Sequence, residues 1–275
     1  MGAVTGVLRS EFRKMFSTRL WWGLLIPVAV LSGLLNLFGG LFTGAFATLS
    51  AGDTPPLLLG SLAYSLSLTT VFAAVHGIVA SAGEFRHRTV TTTYLTARGR
   101  GRVLLAKAAA GAVMGALFAG ATVSTGVLGG LAGSAAVPPV GALLSVTAVG
   151  LAVVALWGAL GAALGVAIGN QVAALVVTLV YMLVVELLVS VLLTGADPAP
   201  FAQFAAYLPV NSGDVALYGI PADVLAGPVA GPAVVELLAG VSAPPPWWAA
   251  LIVLAAWTAA TAVIGWFVGA RRDVT

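Results

Sequence analysis

The sequence predicts an all-α polytopic membrane protein: six transmembrane helices, both termini cytoplasmic, an N-terminal interfacial helix, and a long outer segment between spans five and six. Three observations predict it. Of 275 residues, 60% are hydrophobic and only 8% charged, whereas a soluble domain carries about 25% charged residues. Six stretches reach the length of roughly 20 predominantly apolar residues that a bilayer crossing needs. Finally, all twelve Lys and Arg residues fall in three clusters. These are Arg9, Arg13, Lys14 and Arg19; Arg86, Arg88, Arg98, Arg100, Arg102 and Lys107; and Arg271 with Arg272. Basic residues close to spans are retained in the cytoplasm, so the clusters mark one face of the bilayer.

The chain reads as one transmembrane unit over 1–275. In residues 3–19, Val4, Val7, Leu8, Phe12, Met15 and Phe16 share one helical face, and Arg9, Ser10, Arg13, Lys14, Ser17 and Thr18 the other. This is the pattern of a helix lying in the membrane interface. Arg9, Phe12, Arg13 and Phe16 serve there either as a simple anchor or as part of a docking surface. The spans follow at about 20–41, 60–82, 108–131, 140–168, 172–193 and 247–270. Ala45-Phe46-Ala47 resembles a signal-peptidase site, but the apolar run from Leu20 exceeds the roughly 7–15 residues of a signal core, so it reads as a retained span. The fourth span is long enough to be tilted or broken.

With the N-terminus inside, the 83–107 loop, the Gly169-Asn170-Gln171 turn and the tail are also inside. The segments 42–59, 132–139 and 194–246 are outside. They carry Asp53, Asp197, Asp214, Asp223 and Glu236 and no Lys or Arg. An odd number of spans would strand a basic cluster. Trp21, Trp22, Trp247 and Trp248 sit at span ends as interfacial anchors. Gly161, Gly165 and Gly169, like Gly111 with Gly115 and Gly265 with Gly269, repeat at the spacing of close helix contact, within the chain or between two copies.

Four segments carry candidate function. Besides residues 3–19, the loop 83–107 is longer than topology requires and suits partner docking. Glu84 and Arg88 are spaced to pair on a helix, Thr89 to Leu95 suits a short helix, and Arg98, Arg100 and Arg102 suit a turn before span three. The outer segment opens with Pro198-Ala199-Pro200 and closes with Pro244-Pro245-Pro246. Phe201–Tyr207 and Ala233–Val241 are apolar enough for a re-entrant or interfacial helix pair, the alternative being an ordered lid. Glu186, inside span five, is a functional candidate by its position. It is either a proton-coupling group, with His76 the visible partner, or a neutral acid hydrogen-bonded to a neighbouring helix.

The absence of cysteine excludes disulfides and thiolate metal sites. The two histidines, His76 and His87, cannot form an H-E-x-x-H zinc site. No phosphate-binding G-x-x-x-x-G-K-[ST] loop and no G-x-S-x-G elbow occurs. No catalytic residue and no metal site is therefore expected. The basic residues flank apolar stretches and meet lipid headgroups, which does not point to nucleic acid.

This layout resembles a type-2 ATP-binding-cassette (ABC) transporter permease of the bacterial exporter type. The local likeness lies in Gly83-Glu84-Phe85-Arg86-His87-Arg88-Thr89-Val90 running to Arg102-Val103-Leu104-Leu105-Ala106-Lys107, in Val184-Val185-Glu186-Leu187-Leu188, and in Tyr207-Leu208-Pro209. Arg88 and Arg98 depart from the Gly and Pro common in that family. The resemblance implies a permease that pairs with a second copy, as homodimer or heterodimer, and with a separate ATPase subunit that binds ATP and Mg. The chain itself would be no enzyme and would bind no cofactor. Its coupling loop would dock the ATPase through Glu84, Phe85, Arg86, Arg88, Thr89, Thr92, Tyr94 and Leu95. Its place would be the cytoplasmic membrane, as a multi-pass protein, moving a hydrophobic or amphipathic substrate such as a drug, lipid or peptide-like molecule. An ion-coupled secondary carrier and a membrane scaffold that recruits a cytoplasmic partner are the rival expectations.

Overall fold

The computed structural model describes residues 2–49, 57–86, 100–195 and 201–271. These are helical almost throughout, with no strand among the described residues. The helices are α1 (Gly2–Ser17), α2 (Leu20–Leu49), α3 (Leu58–Arg86), α4 (Arg100–Ala132), α5 (Val140–Ile168), α6 (Gln171–Thr194), α7 (Pro209–Ala239) and α8 (Trp247–Arg271), with a 3₁₀ segment, Ala202–Tyr207, leading into α7. The seven helices from α2 to α8 are each long and apolar enough to cross a membrane. Length and composition thus mark a multi-pass all-α membrane protein.

α3, α4 and α5 form the buried centre, and α2, α6 and α8 pack around it. Phe118, Trp157, Leu59, Leu66 and Met114 fill the core. Large apolar side chains such as Phe38, Leu187, Leu192 and Ile252 remain exposed, as lipid contact requires. Without water to expel, helix association in lipid rests on close packing and interhelical hydrogen bonds. Both are present. A side chain at Gly111 or Gly77 would strike the Gly158 carbonyl, and one at Gly161 would strike that of Ala74. The glycine repeats therefore serve packing inside the chain, between α5 and its neighbours α3 and α4. Asn36 on α2 donates to Ser65 Oγ at 3.0 Å and accepts from Ser61 Oγ at 2.7 Å, while Ser32 Oγ donates to the Thr122 carbonyl at 2.7 Å. These bonds tie α2 to α3 and α4.

Gly169, in the left-handed region at φ 67°, ends α5, and Asn170 caps α6 by accepting from the Ala173 N–H at 3.1 Å. That is the tight turn expected there. Two expectations change. α4 begins at Arg100, so Arg100 and Arg102 are helical rather than part of a turn. Arg98 lies outside the described residues. The segment 201–239, where a helix pair or an ordered lid is expected outside, is helical, and Pro209–Ala239 is itself long and apolar enough to cross a membrane. Gly227, at φ 75° and ψ 169°, breaks α7. Residues 228–239 fold back along 209–226: Gly231 lies against Asp223, and Val215 and Val235 line one cavity with Gly219 and Trp247. In a straight helix Val215 and Val235 would stand about 30 Å apart. Phe201–Tyr207 and Ala233–Val241 are thus joined through one bent helical hairpin.

Gly158→Val should destabilise the bundle by about 1–3 kcal/mol through overpacking. Gly120→Val, where an added Cβ meets nothing within 4 Å, should be neutral. Thermal unfolding of the two variants in detergent, followed by monodispersity, checks the pair.

Candidate functional site

Four charged side chains converge where α1 crosses the end of α3 and the start of α4. The Lys14 Nζ donates to Glu11 Oε1 at 2.7 Å and to Glu84 Oε1 at 2.8 Å. The Lys107 Nζ donates to Glu11 Oε2 at 3.0 Å and to Glu84 Oε1 at 2.7 Å. Each cation meets both acids, so among the described residues the four charges balance. Three helices contribute, and each contribution has a local cause. Glu11 falls four residues after Val7 and four before Met15, on the face that α1 turns inward; Met15 is buried beside it. Glu84 closes the inner side of α3, and Lys107 lies in the second turn of α4. Arg9 and Arg13 point away and are exposed, Phe12 is half-buried, and Phe16 packs edge-on to Trp21 at 5.6 Å.

Lys107, Glu11 and Glu84 are buried, and Lys14 is half-exposed. Burial alone would lower the Lys14 pKa. Its bonds and proximity to Glu11 and Glu84 outweigh that, and the value is raised above its ordinary 10.5. A raised folded-state value means that its contribution is complete below 10.5 and is lost only as pH rises through the higher value. Lys14 therefore keeps its charge across the physiological range.

Beside the ring lies a cavity of about 490 Å³ bounded by α1, α3, α4, α5 and the first residue of α6. The ring, Gln171 and the cavity share one end of the bundle. Trp266 near the end of α8 approaches Gly101 there as well.

Glu186 belongs to a second polar cluster. It follows a π turn, Tyr181–Val185, whose i to i+5 pairing sends the Glu186 N–H to the Tyr181 carbonyl. The wider turn brings Tyr181 and Glu186 onto one face, where the Tyr181 hydroxyl donates to the carboxylate. The same carboxylate accepts the Asn211 N–H at 2.8 Å and the Val210 N–H at 3.1 Å. It thus caps the free N–H groups that open α7. Asn211 donates onward to Ser190 Oγ at 2.7 Å and the Ala205 carbonyl at 2.8 Å, and Trp257 donates to the Tyr207 carbonyl at 2.9 Å. Tyr207-Leu208-Pro209 is therefore the hinge by which the 3₁₀ segment enters α7. His76 is not the partner of Glu186: it lies edge-on to Phe118 at 5.8 Å and lines the cavity.

Asp214, expected in the outer segment, sits within α7 and accepts from Ser67 Oγ of α3 at 2.6 Å. Of the coupling-loop residues, Glu84 faces inward into the ring, and Phe85 and Arg86 close α3. Arg88, Thr89, Thr92, Tyr94 and Leu95 lie outside the described residues, as do the proposed Glu84–Arg88 pairing and the short Thr89–Leu95 helix. Sequence reasoning missed Glu11. Its signal was a lone acid among basic residues on the apolar face of α1. Among the described residues no group of His, Asp and Glu is arranged to hold a metal ion. No protein-family model matches the chain, and no curated protein is found as a relative.

Lys107→Met leaves two buried carboxylates sharing one half-exposed cation and should cost about 3–5 kcal/mol. Lys14→Met, with the cation partly solvated, should cost no more than about 1 kcal/mol. Thermal denaturation of both variants in nanodiscs at neutral pH checks the order. Glu186→Gln retains one acceptor for two backbone donors and should cost about 1–2 kcal/mol, with faster hydrogen exchange at Val210 and Asn211.

Proposed function

We propose that this chain is the membrane-spanning permease subunit of an ATP-driven exporter, carrying a hydrophobic or amphipathic substrate by alternating access. The carrying observation is the ionic ring. It makes the amphipathic helix α1 and the two helix ends that flank residues 87–99 into one unit. A partner that pushes on the intervening loop would move α1, α3 and α4 together. In this reading the ring end faces the cytoplasm, and a separate ATPase subunit binds ATP and Mg and docks on the loop. A second copy of the chain completes the path. ATP acts on such a machine only by binding its inward- and outward-facing states unequally.

The same reading takes α7 as a re-entrant hairpin that enters and leaves from the outer side, so six helices cross. The support is the break at Gly227 and the return of Val235 to Val215. Pro228 and Pro232 in the returning arm remove backbone donors, and at the opening of the hairpin Glu186 accepts two backbone N–H groups while the Asn211 side chain donates to the Ala205 carbonyl, which lipid could not do. The membrane is the cytoplasmic one, because the basic clusters then all lie inside.

One observation favours a second reading, an ion-coupled carrier. Asp214 lies within an apolar helix, hydrogen-bonded by Ser67, and forms no ion pair among the described residues. An intramembrane acid of this kind is a common device of proton coupling.

The cysteine-free sequence permits clean labelling. Single cysteines at Val229 and Ser242 should react with a membrane-impermeant maleimide from outside intact cells. One at Thr275 should react only after permeabilisation; its labelling in intact cells would mean seven crossings. Tyr94→Ala with Leu95→Ala should reduce stimulated ATP hydrolysis by the co-purified ATPase at least about tenfold at a normal membrane level, since a docking anchor contributes about 2 kcal/mol or more. Transport that persists without ATP and collapses with the proton gradient would reject the ATPase reading in favour of the second.

A further inference from the structure

Among the described residues, His76 and Thr178 are buried side chains with no hydrogen-bond partner at any polar atom, and His76 has two such atoms. It is 1% exposed, and neither Nδ1 nor Nε2 has a hydrogen-bond partner. A neutral imidazole carries one donor and one acceptor, and leaving both unmet in a buried site is costly enough to require an explanation. The residue cannot simply turn away. The next position, Gly77, is pressed against the Gly158 carbonyl, where no side chain fits, and Phe118 stands edge-on at 5.8 Å. His76 instead lines the cavity of about 490 Å³, with Met15, Ala80, Ala110, Ala162 and the ionic ring around it.

The chemistry of the walls selects the occupant. The volume falls in the range of about 300–1,000 Å³ typical of small-molecule sites. Apart from the ring, the lining is mainly apolar. The ring's own charges are mutually neutralised, so a charged guest would find no counter-ion and would pay for desolvation. A hydroxyl that donates to or accepts from one of the two ring nitrogens, set on a compact apolar body, would meet half of what His76 lacks.

We propose that this cavity is a binding site for a compact, neutral, hydroxylated apolar molecule, of the aromatic-alcohol type, whose hydroxyl bonds to His76. The site lies inside one chain, beside the element that clamps α1. It needs neither a second copy nor an ATPase, so it stands apart from the permease reading.

The test uses the full chain in lipid nanodiscs and ¹⁹F NMR, which separates a protein-bound probe from one dissolved in lipid. The probes are 6-fluoro-2-naphthol and 2-fluoronaphthalene, which lacks the hydroxyl. One saturable site per chain is expected, preferring the naphthol by about tenfold, the scale of one net hydrogen bond. His76→Leu should reduce that preference to less than about twofold, because the hydroxyl then gains nothing over lipid. Gly83→Leu provides a variant without core disruption: Gly83 lines the cavity, and a Cβ there meets nothing within 4 Å. Its side chain should fill the space and abolish binding of both probes. The absence of a saturable site, equal affinity for the two probes in the unaltered chain, or naphthol binding unchanged by Gly83→Leu would each overturn the proposal.

Discussion

Two buried carboxylates share one buried and one half-exposed ammonium group, and the arrangement of three helices follows from it. Each of these groups would be costly to bury alone. Together they cancel, and only with α1, α3 and α4 in this register do all four meet. The glycine contacts bring α5 close to α3 and α4, but they fix distance rather than rotation. The ring fixes rotation, because a turn of α1 by one residue would carry Glu11 out of reach of Lys107. Lipid solvates apolar faces indifferently, so specificity in this bundle comes from its few polar groups.

The same economy explains Glu186. A helix that starts inside a bundle exposes N–H groups that no water reaches, and a carboxylate from the adjacent helix is an effective acceptor for them. The π turn makes this possible by rotating the carboxylate toward α7, with the Tyr181 hydroxyl held beside it. The cluster lies far from the ionic ring along α6. The bundle is therefore held by polar contacts at two levels, one between α1 and the core and one between the core and the bent hairpin.

Much of the fold was legible from residues alone. Long apolar runs identified six helices, because a bilayer leaves few alternatives to a helix. The glycine spacing identified the packed faces of α4 and α5, and the Gly169-Asn170 pair identified the turn. What escaped has physical reasons. The hairpin of α7 was legible only at its ends, Phe201–Tyr207 and Ala233–Val241, because Asp214, Asp223, Pro221, Pro228 and Pro232 dilute the apolar content between and within them. Glu11 and Lys107 were hidden by their neighbours: one acid among bases, and one base at the end of a basic run, look like surface charge. Only the convergence of residues about one hundred positions apart in the chain reveals that they are interior. Glu84 shows the same limit: nothing in its local spacing points to the two distant lysines that hold it.

The wide turn at Tyr181–Val185 also decides which way the far half of α6 faces. Restoring regular pitch there without removing a residue would swing everything beyond it by about 100° around the axis. Glu186 would then face lipid, and α7 would lose its cap.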